Sequence, residues 1–453
     1  MQPLKVLFNN KKNNFQNRID YVLRFIENHT LIDGMIQFIK DKNIHPDPDI
    51  SIEYGAISPN VLSIPSQELL FSDRTFPFES LKTNQYFSDH LTVHSVEKKK
   101  KETDIFLKGH CFQFDILETI FFHISRMEEW QCNDQDLDEW DMMKTDQQFL
   151  VRYQLHQIPV VDQLVYAFGK SIGIISDPPK STIRITHDID EIMQSTNFLK
   201  SLRSSAGIIW RRQNWTSIIR TWKALFNNQK NNYDTFDWML SDSATMEKCI
   251  YFLVDGKTKY DNPYDLGTPR MQAIFQMCKE KNYKIGIHPS YACWKNQKKF
   301  KAEKEKLEAL VNLPIEISRQ HYLHFDFKIT PNILDQQNIK EDSTMGFNDR
   351  IGFRCGTGFG YHLYDFENEK PFNFIETPLV VMDSSLLMET NYNLKKATQL
   401  WTSFLANNKF YTKIIFNFHN TRFYNADIHG IPLKEWYQEL STPNLDLDKI
   451  KTP

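Results

Sequence analysis

The residues best suited to chemistry in this sequence sit where short apolar runs stop. The run Thr182-Ile183-Arg184-Ile185-Thr186 leads into His187-Asp188-Ile189-Asp190. Strand side chains alternate, so Asp188 and Asp190 share a face if the strand reaches that far. Two carboxylates side by side repel unless a cation lies between them or one binds a proton. Such a pair can divide the labour of a metal site, one ligating and one acting as base. Farther on, IGIHPS delivers His288 just before a proline, and LPIEIS is followed by Arg319, Gln320, His321, Tyr322, Leu323 and His324. One carboxylate and two imidazoles with open positions suit catalytic zinc or a similar divalent ion. FNFHN delivers His419, and PLVVMDSS presents Asp383. A carboxylate beside an imidazole holds its tautomer and stabilises the protonated ring, which can then donate a proton to a leaving amine.

These residues need elements that bring distant segments to one edge. From residue 181 the chain alternates strand-like and helical patterns: TIRITHDID, CIYFLVDG, a helix around 268 to 281, YKIGIHPS, a helix around 297 to 311, and shorter elements to KIIFNFHN. This succession predicts an α/β fold with a parallel sheet or barrel, in which functional residues gather at the carboxyl ends of the strands. Before it, LKVLF, a helical pattern at Ile19, Val22, Leu23 and Ile26, and the runs ISIEYGAI and VLSIPS predict a smaller mixed α/β domain. Residues 113 to 131 read as a core helix, with Phe114, Leu117, Ile120, Phe121 and Ile124 on one face. Ser125, Arg126, Glu128 and Glu129 form its polar edge. A second helix is expected from Pro159 to Phe168, and the turn SDPPK places a boundary between domains of residues 1–175 and 181–440.

Composition narrows the function. The 453 residues carry 54 Lys and Arg against 57 Asp and Glu, without the bulk basic character of a dedicated nucleic-acid binder. No run of about 18 apolar residues predicts a spanning helix. The opening MQPLKVLFNNKKNNF has the wrong order for a signal peptide. Six scattered cysteines without a CxxC pair suggest reduced thiols, and with them a cytoplasmic location. The lysine run 98 to 101 reads as a solvated loop. Only 15 glycines occur, yet Gly346, Gly352, Gly356, Gly358 and Gly360 cluster around Arg354. Glycines there are expected to turn the chain sharply and let backbone approach a bound ligand.

Taken in order, THDID, GIHPSY, SRQHYL, DSTMGFNDRIGFRCGT, MDSSL and FHN resemble the motif set of the NodB-type polysaccharide deacetylases, carbohydrate esterase family 4. More narrowly, the chain resembles bacterial deacetylase-like proteins that carry an N-terminal domain of unknown function. The resemblance implies a distorted (β/α) barrel at 181–440. It also implies a metal-dependent hydrolase that removes acetyl groups from an N-acetylated sugar or polysaccharide. Residue by residue, it gives Asp188 as catalytic base, Arg354 as the arginine orienting that base, His419 as general acid and Asp383 as its partner. Asp190 and His288 match metal ligands, with zinc the expected ion, and Tyr291, Gly356 and Thr357 are expected beside substrate. The family's H-x-x-x-H would place a second histidine at 292, where this chain has Ala292. The third ligand is therefore expected from His321, with His324 behind it. The alternative is a glycan-binding or scaffold protein that keeps the barrel without turnover, and a non-sugar amide remains an open substrate class.

One segment falls outside this scheme. Residues 197–230 hold Lys200, Arg203, Arg211, Arg212, Arg220, Lys223 and Lys230 with Trp210, Trp215 and Trp222 and no acidic residue. A helical insertion at about 195–230 is expected, either a solvated cover or a basic aromatic lid. As a lid it would meet an acidic glycan or the inner face of an anionic membrane peripherally.

Overall fold

Two mainly parallel sheets organise the computed structural model, which describes residues 2–11, 15–40, 48–66, 71, 107–192, 233–240, 247–262 and 264–441. The lysine run at 98 to 101 and the basic segment 197–230 lie outside the described residues. The first sheet contains β1 (Leu4–Asn10), β2 (Ile36–Ile39), β3 (Ile50–Tyr54), β4 (Leu62–Ile64), β5 (Leu107–Lys108) and β6 (Cys111–Phe112). Their order is β2-β1-β3-β4-β6-β5, and only the β5/β6 pair is antiparallel.

The second sheet holds β7 (Thr182–Ile189), β8 (Lys248–Leu253), β9 (Lys284–His288), β10 (Ile317–Ser318) and β11 (Glu341–Asp342). It continues with β12 (Tyr361–Asp365), β13 (Lys370–Glu376), β14 (Val381–Met382) and β15 (Lys413–Asn417). The order is β12-β13-β11-β10-β9-β8-β7-β15-β14, with β12/β13 the antiparallel pair. Among the described residues no pairing joins β12 to β14, so these strands form a nine-stranded sheet and do not close the expected barrel. Every residue of β8 is buried, as are the last six of β7. Burial on both faces is what near-continuous apolar strands of a parallel sheet require.

Helices pack on the sheet by the apolar periodicity of their sequences. Pro269–Glu280 buries Met271, Ile274, Phe275 and Cys278, and the Thr268 hydroxyl accepts from the Met271 amide at its start. Gln297–Val311 buries Phe300, Leu307 and Val311 and ends on Asn312 in the left-handed region.

The stretch 113 to 131 departs from its expected single amphipathic helix. Asp115 caps Ile116–Ser125 by accepting from the Leu117 and Glu118 amides, each at 3.0 Å, and the helix breaks at Arg126, whose φ is 55°. All ten residues of Ile116–Ser125 are buried, and so are Arg126, Glu128 and Glu129. The polar edge therefore faces protein. A buried polar side chain needs partners, and here they are both local and distant: Glu129 accepts from neighbouring Arg126 and from Arg354, 225 residues on. A later helix, Val160–Ser171, supplies Asp162, which meets His29 at 3.1 Å, the Gly358 amide at 3.1 Å and the Thr412 hydroxyl at 2.5 Å. One apolar core runs through both sheets.

Candidate metal centre and active site

Because β7, β8, β9, β10, β14 and β15 run parallel, their carboxyl ends lie along one edge. β7 ends at Ile189, and Asp190 follows immediately. His288 closes β9, His321 lies three residues beyond β10, and His419 two beyond β15. The structure brings ligand atoms of Asp190, His288 and His321 within 4.8 Å of one another. His288 Nε2 stands 3.3 Å and His321 Nε2 3.9 Å from Asp190 Oδ1. Two ligands each about 2.1 Å from a tetrahedral zinc would stand about 3.4 Å apart, so these separations fit a small dication.

The outer hydrogen bonds aim the rings. His288 Nδ1 lies 2.6 Å from the Arg319 carbonyl oxygen and His321 Nδ1 lies 3.2 Å from Asp261 Oδ1. That leaves both Nε2 atoms for a common target, the arrangement that orients metal-binding histidines. The loop after His288 is fixed in turn, because buried Glu303 accepts from both the amide and the hydroxyl of Ser290. Asp190 Oδ1 itself is buried without a hydrogen-bond partner among the described residues. An orphaned buried carboxylate oxygen calls for a missing partner, and a divalent cation held by Asp190, His288 and His321 would supply one.

Charge in the site has a consistent sense. Burial alone would raise the Asp190 carboxyl, but the neighbouring imidazoles of His288, His419 and His321 outweigh it and hold the group well below the usual range. Burial works against a protonated His288, and Asp188 and Asp190 overcome it and push the imidazole up. For His419 burial is again opposed, chiefly by Asp383 and then by Asp190 and Asp188, and the imidazole is pushed up to about 9. Asp383 Oδ1 lies 2.6 Å from His419 Nδ1, and its Oδ2 accepts from the His419 amide at 2.7 Å. His419 Nε2 then points toward Asp190 Oδ2 at 3.7 Å.

Asp188 is 2% exposed and held by a residue the sequence reading did not assign. Arg319 Nη1 donates to Asp188 Oδ1 at 2.9 Å, and Asn417 Nδ2 donates to Oδ2 at 2.8 Å. Arg319 also donates to the Thr186 hydroxyl, the Asn417 side chain and the Ser343 carbonyl and hydroxyl, and stacks over Tyr251 at 4.5 Å. Arg354, expected to orient Asp188, is engaged elsewhere: it pairs with Glu129 and donates to the Gly346 carbonyl at 2.9 Å. Arg319 carries a sequence signal, since it stands two before His321 at the end of β10, as Asn417 stands two before His419 at the end of β15. Asp261, the partner of His321, lies in the loop after β8 and follows no such alternation.

The remaining expectations divide. His324 does not join the metal group; its ring stacks on Trp294 at 3.9 Å and hydrogen-bonds the Trp140 carbonyl. Tyr291 packs on Tyr260 at 4.3 Å and does not line the cavity. Gly356 and Thr357 are fully enclosed away from the cavity. Gly356 has φ 67°, and a Cβ there would meet Val160 at 2.9 Å; at Gly352, φ 146°, it would meet the His156 carbonyl at 2.3 Å. At Gly352 and Gly356 the missing side chain thus admits close approach of the chain's own earlier segments. The cavity, about 360 Å³, is lined by Asp188, Asp190, His288, His321 and His419, among others.

All six cysteines are free thiols, and among the described residues no helix is long and apolar enough to cross a membrane. Residues 6–174 match a family model described as a family of unknown function, DUF7033. No curated protein matches the sequence. Among solved structures, one assigned as a polysaccharide deacetylase from Mycobacterium smegmatis is similar at 13% identity and a TM-score of 0.32, covering 62% of this chain and 97% of that one. Another, a mutant of a CE4 family pseudoenzyme with restored enzymatic activity, is similar at 9% identity and a TM-score of 0.27, covering 60% of this chain and 70% of that one. At such values the functional reading stands on the geometry of the site itself.

Proposed function

We propose that the protein is a metal-dependent hydrolase that removes the acetyl group from an N-acetylated sugar. The observation that carries this reading is the convergence of Asp190, His288 and His321 on one point, with Asp188 and His419 beside it. Asp190, His288 and His321 would hold the divalent ion, zinc or a similar metal, which when bound polarises an amide carbonyl and makes a water more acidic. Asp188, fixed by Arg319 and Asn417, accepts the proton of the attacking water. Its two oxygens are oriented by charge-assisted hydrogen bonds, so the base needs no reorganisation. His419, kept protonated near neutral pH by Asp383, donates a proton to the nitrogen as the carbon–nitrogen bond breaks. Water contributes hydroxyl to the acyl carbon, giving acetate and a free amino sugar.

Elemental analysis of the purified protein and an assay of acetate release from N-acetylated oligosaccharides test this together. About one divalent ion per chain is expected, with release abolished by chelation and restored by zinc. A metal-loaded protein that releases no acetate from any N-acetylated saccharide would sink the reading.

A further inference from the structure

We infer that the N-terminal region takes part in the substrate site: residues 138–148 form a wall of the cavity, and Trp140 with Tyr322 forms a platform for the sugar ring next to the one that reacts. This rests on the hydrolase reading above and names the substrate class more closely, an N-acetylated saccharide of at least two residues. Asp138, Trp140, Met142 and Met143 line the same cavity as His321 and His419. These four belong to the stretch matched by the family of unknown function.

The wall is prebuilt. Asp138 Oδ1 accepts from the Trp140 amide at 2.8 Å and the Met142 amide at 3.1 Å, and Leu137 bridges Met143. His324 ties the Trp140 carbonyl to the loop that carries His321. The indole lies nearly parallel to the Tyr322 ring, 5.7 Å between centroids and 15° between planes. Tyr322 directly follows His321, lines the cavity and is 42% exposed. Its φ is 58°, a left-handed conformation that costs a non-glycine residue conformational energy, and Asn348 Nδ2 holds its carbonyl there at 2.7 Å. A ring left half in solvent gains little burial to offset that strain. Placed one residue from His321, it presents an apolar aromatic face beside the reaction centre. Pyranose rings offer faces of C–H groups to such a surface. The nearby carboxylate of Asp138 accepts from those amides, and Asp349 pairs with Arg350.

The test uses the zinc-loaded full chain and calorimetric titration with N-acetylglucosamine and its β-1,4-linked dimer. The dimer is expected to bind about tenfold tighter, the contribution of one aromatic–sugar contact. Trp140→Ala and Tyr322→Ala, on separate segments, should each bring the ratio toward one, and Trp140→Phe should keep most of it. Failure of either saccharide to bind, or a ratio surviving both alanine variants, overturns the inference. Acetate release is scored separately: a dimer preference that depends on Trp140 without any release leaves the platform standing and removes the hydrolase reading.

Discussion

Two buried arginine–carboxylate pairs lie close to the same cavity and do different things. Arg319 holds Asp188 at the carboxyl ends of β7 and β10, while Arg354 holds Glu129 between the two halves of the chain. Glu129 is enclosed by Arg126 as well as Arg354, so both of its oxygens are occupied by guanidinium groups. Asp188 has one guanidinium and one amide, and it borders the cavity beside Asp190. A buried ion pair alone therefore does not mark a catalytic group. What distinguishes the two is whether the carboxylate retains access to a reacting molecule.

Asp188→Asn is the strongest way to sharpen that contrast. It should lower acetate release by on the order of 10³-fold, within the range for loss of a positioned base, measured as kcat on an N-acetylated oligosaccharide. Retention of more than a tenth of the activity would place the base elsewhere. Glu129→Gln tests the other pair by urea unfolding. It leaves two buried guanidinium groups without their shared charge and should cost about 3–5 kcal/mol, with kcat of the folded protein near wild type. A variant as stable as wild type but inactive would reverse the assignment of the two pairs. Asp261→Asn should weaken metal affinity by about 10–100-fold through the orientation of His321, read by competition with a chromogenic chelator.

The smallest effect concerns pH. His419 is raised from 6.5 to about 9 in the fold, so its contribution to stability is fully present below pH 6.5 and lost as pH rises through 9. The urea midpoint of the metal-free wild type should fall between pH 7 and 10, and Asp383→Asn should flatten that fall. Identical slopes for the two proteins would deny Asp383 its role in raising the imidazole.

The comparison also explains what could be read before the structure. Asp188, Asp190, His288 and His419 were legible because a parallel sheet aligns strand ends and each residue follows an apolar run directly. His321 was legible as the third candidate ahead of His324, and two left-handed residues, Tyr322 and Leu323, stand between the two rings. Arg354 was expected beside Asp188 because its surroundings resemble a familiar motif, whereas Arg319 is the arginine that contacts it. The real partner of Arg354, Glu129, lies 225 residues earlier, a contact no local pattern encodes. The same limit hid the burial of Arg126, Glu128 and Glu129, which read only as the polar edge of a core helix. The parallel strands of both sheets were visible as apolar runs. That the second sheet stays open where a barrel was expected was not legible, because closure depends on pairing between edge strands far apart in the chain.

Asp162 carries a consequence for how the chain matures. It is buried among His29, the Gly358 amide and the Thr412 hydroxyl, and the last of these lies 250 residues downstream. While the chain is being synthesised from its amino end, the helix Val160–Ser171 emerges with a carboxylate on a face that cannot be enclosed until β15 follows. The first sheet can assemble early, but its junction with the second must wait for nearly the whole chain. A ribosome-bound chain halted before Thr412 should therefore remain sensitive to protease near that helix, and one released beyond it should not.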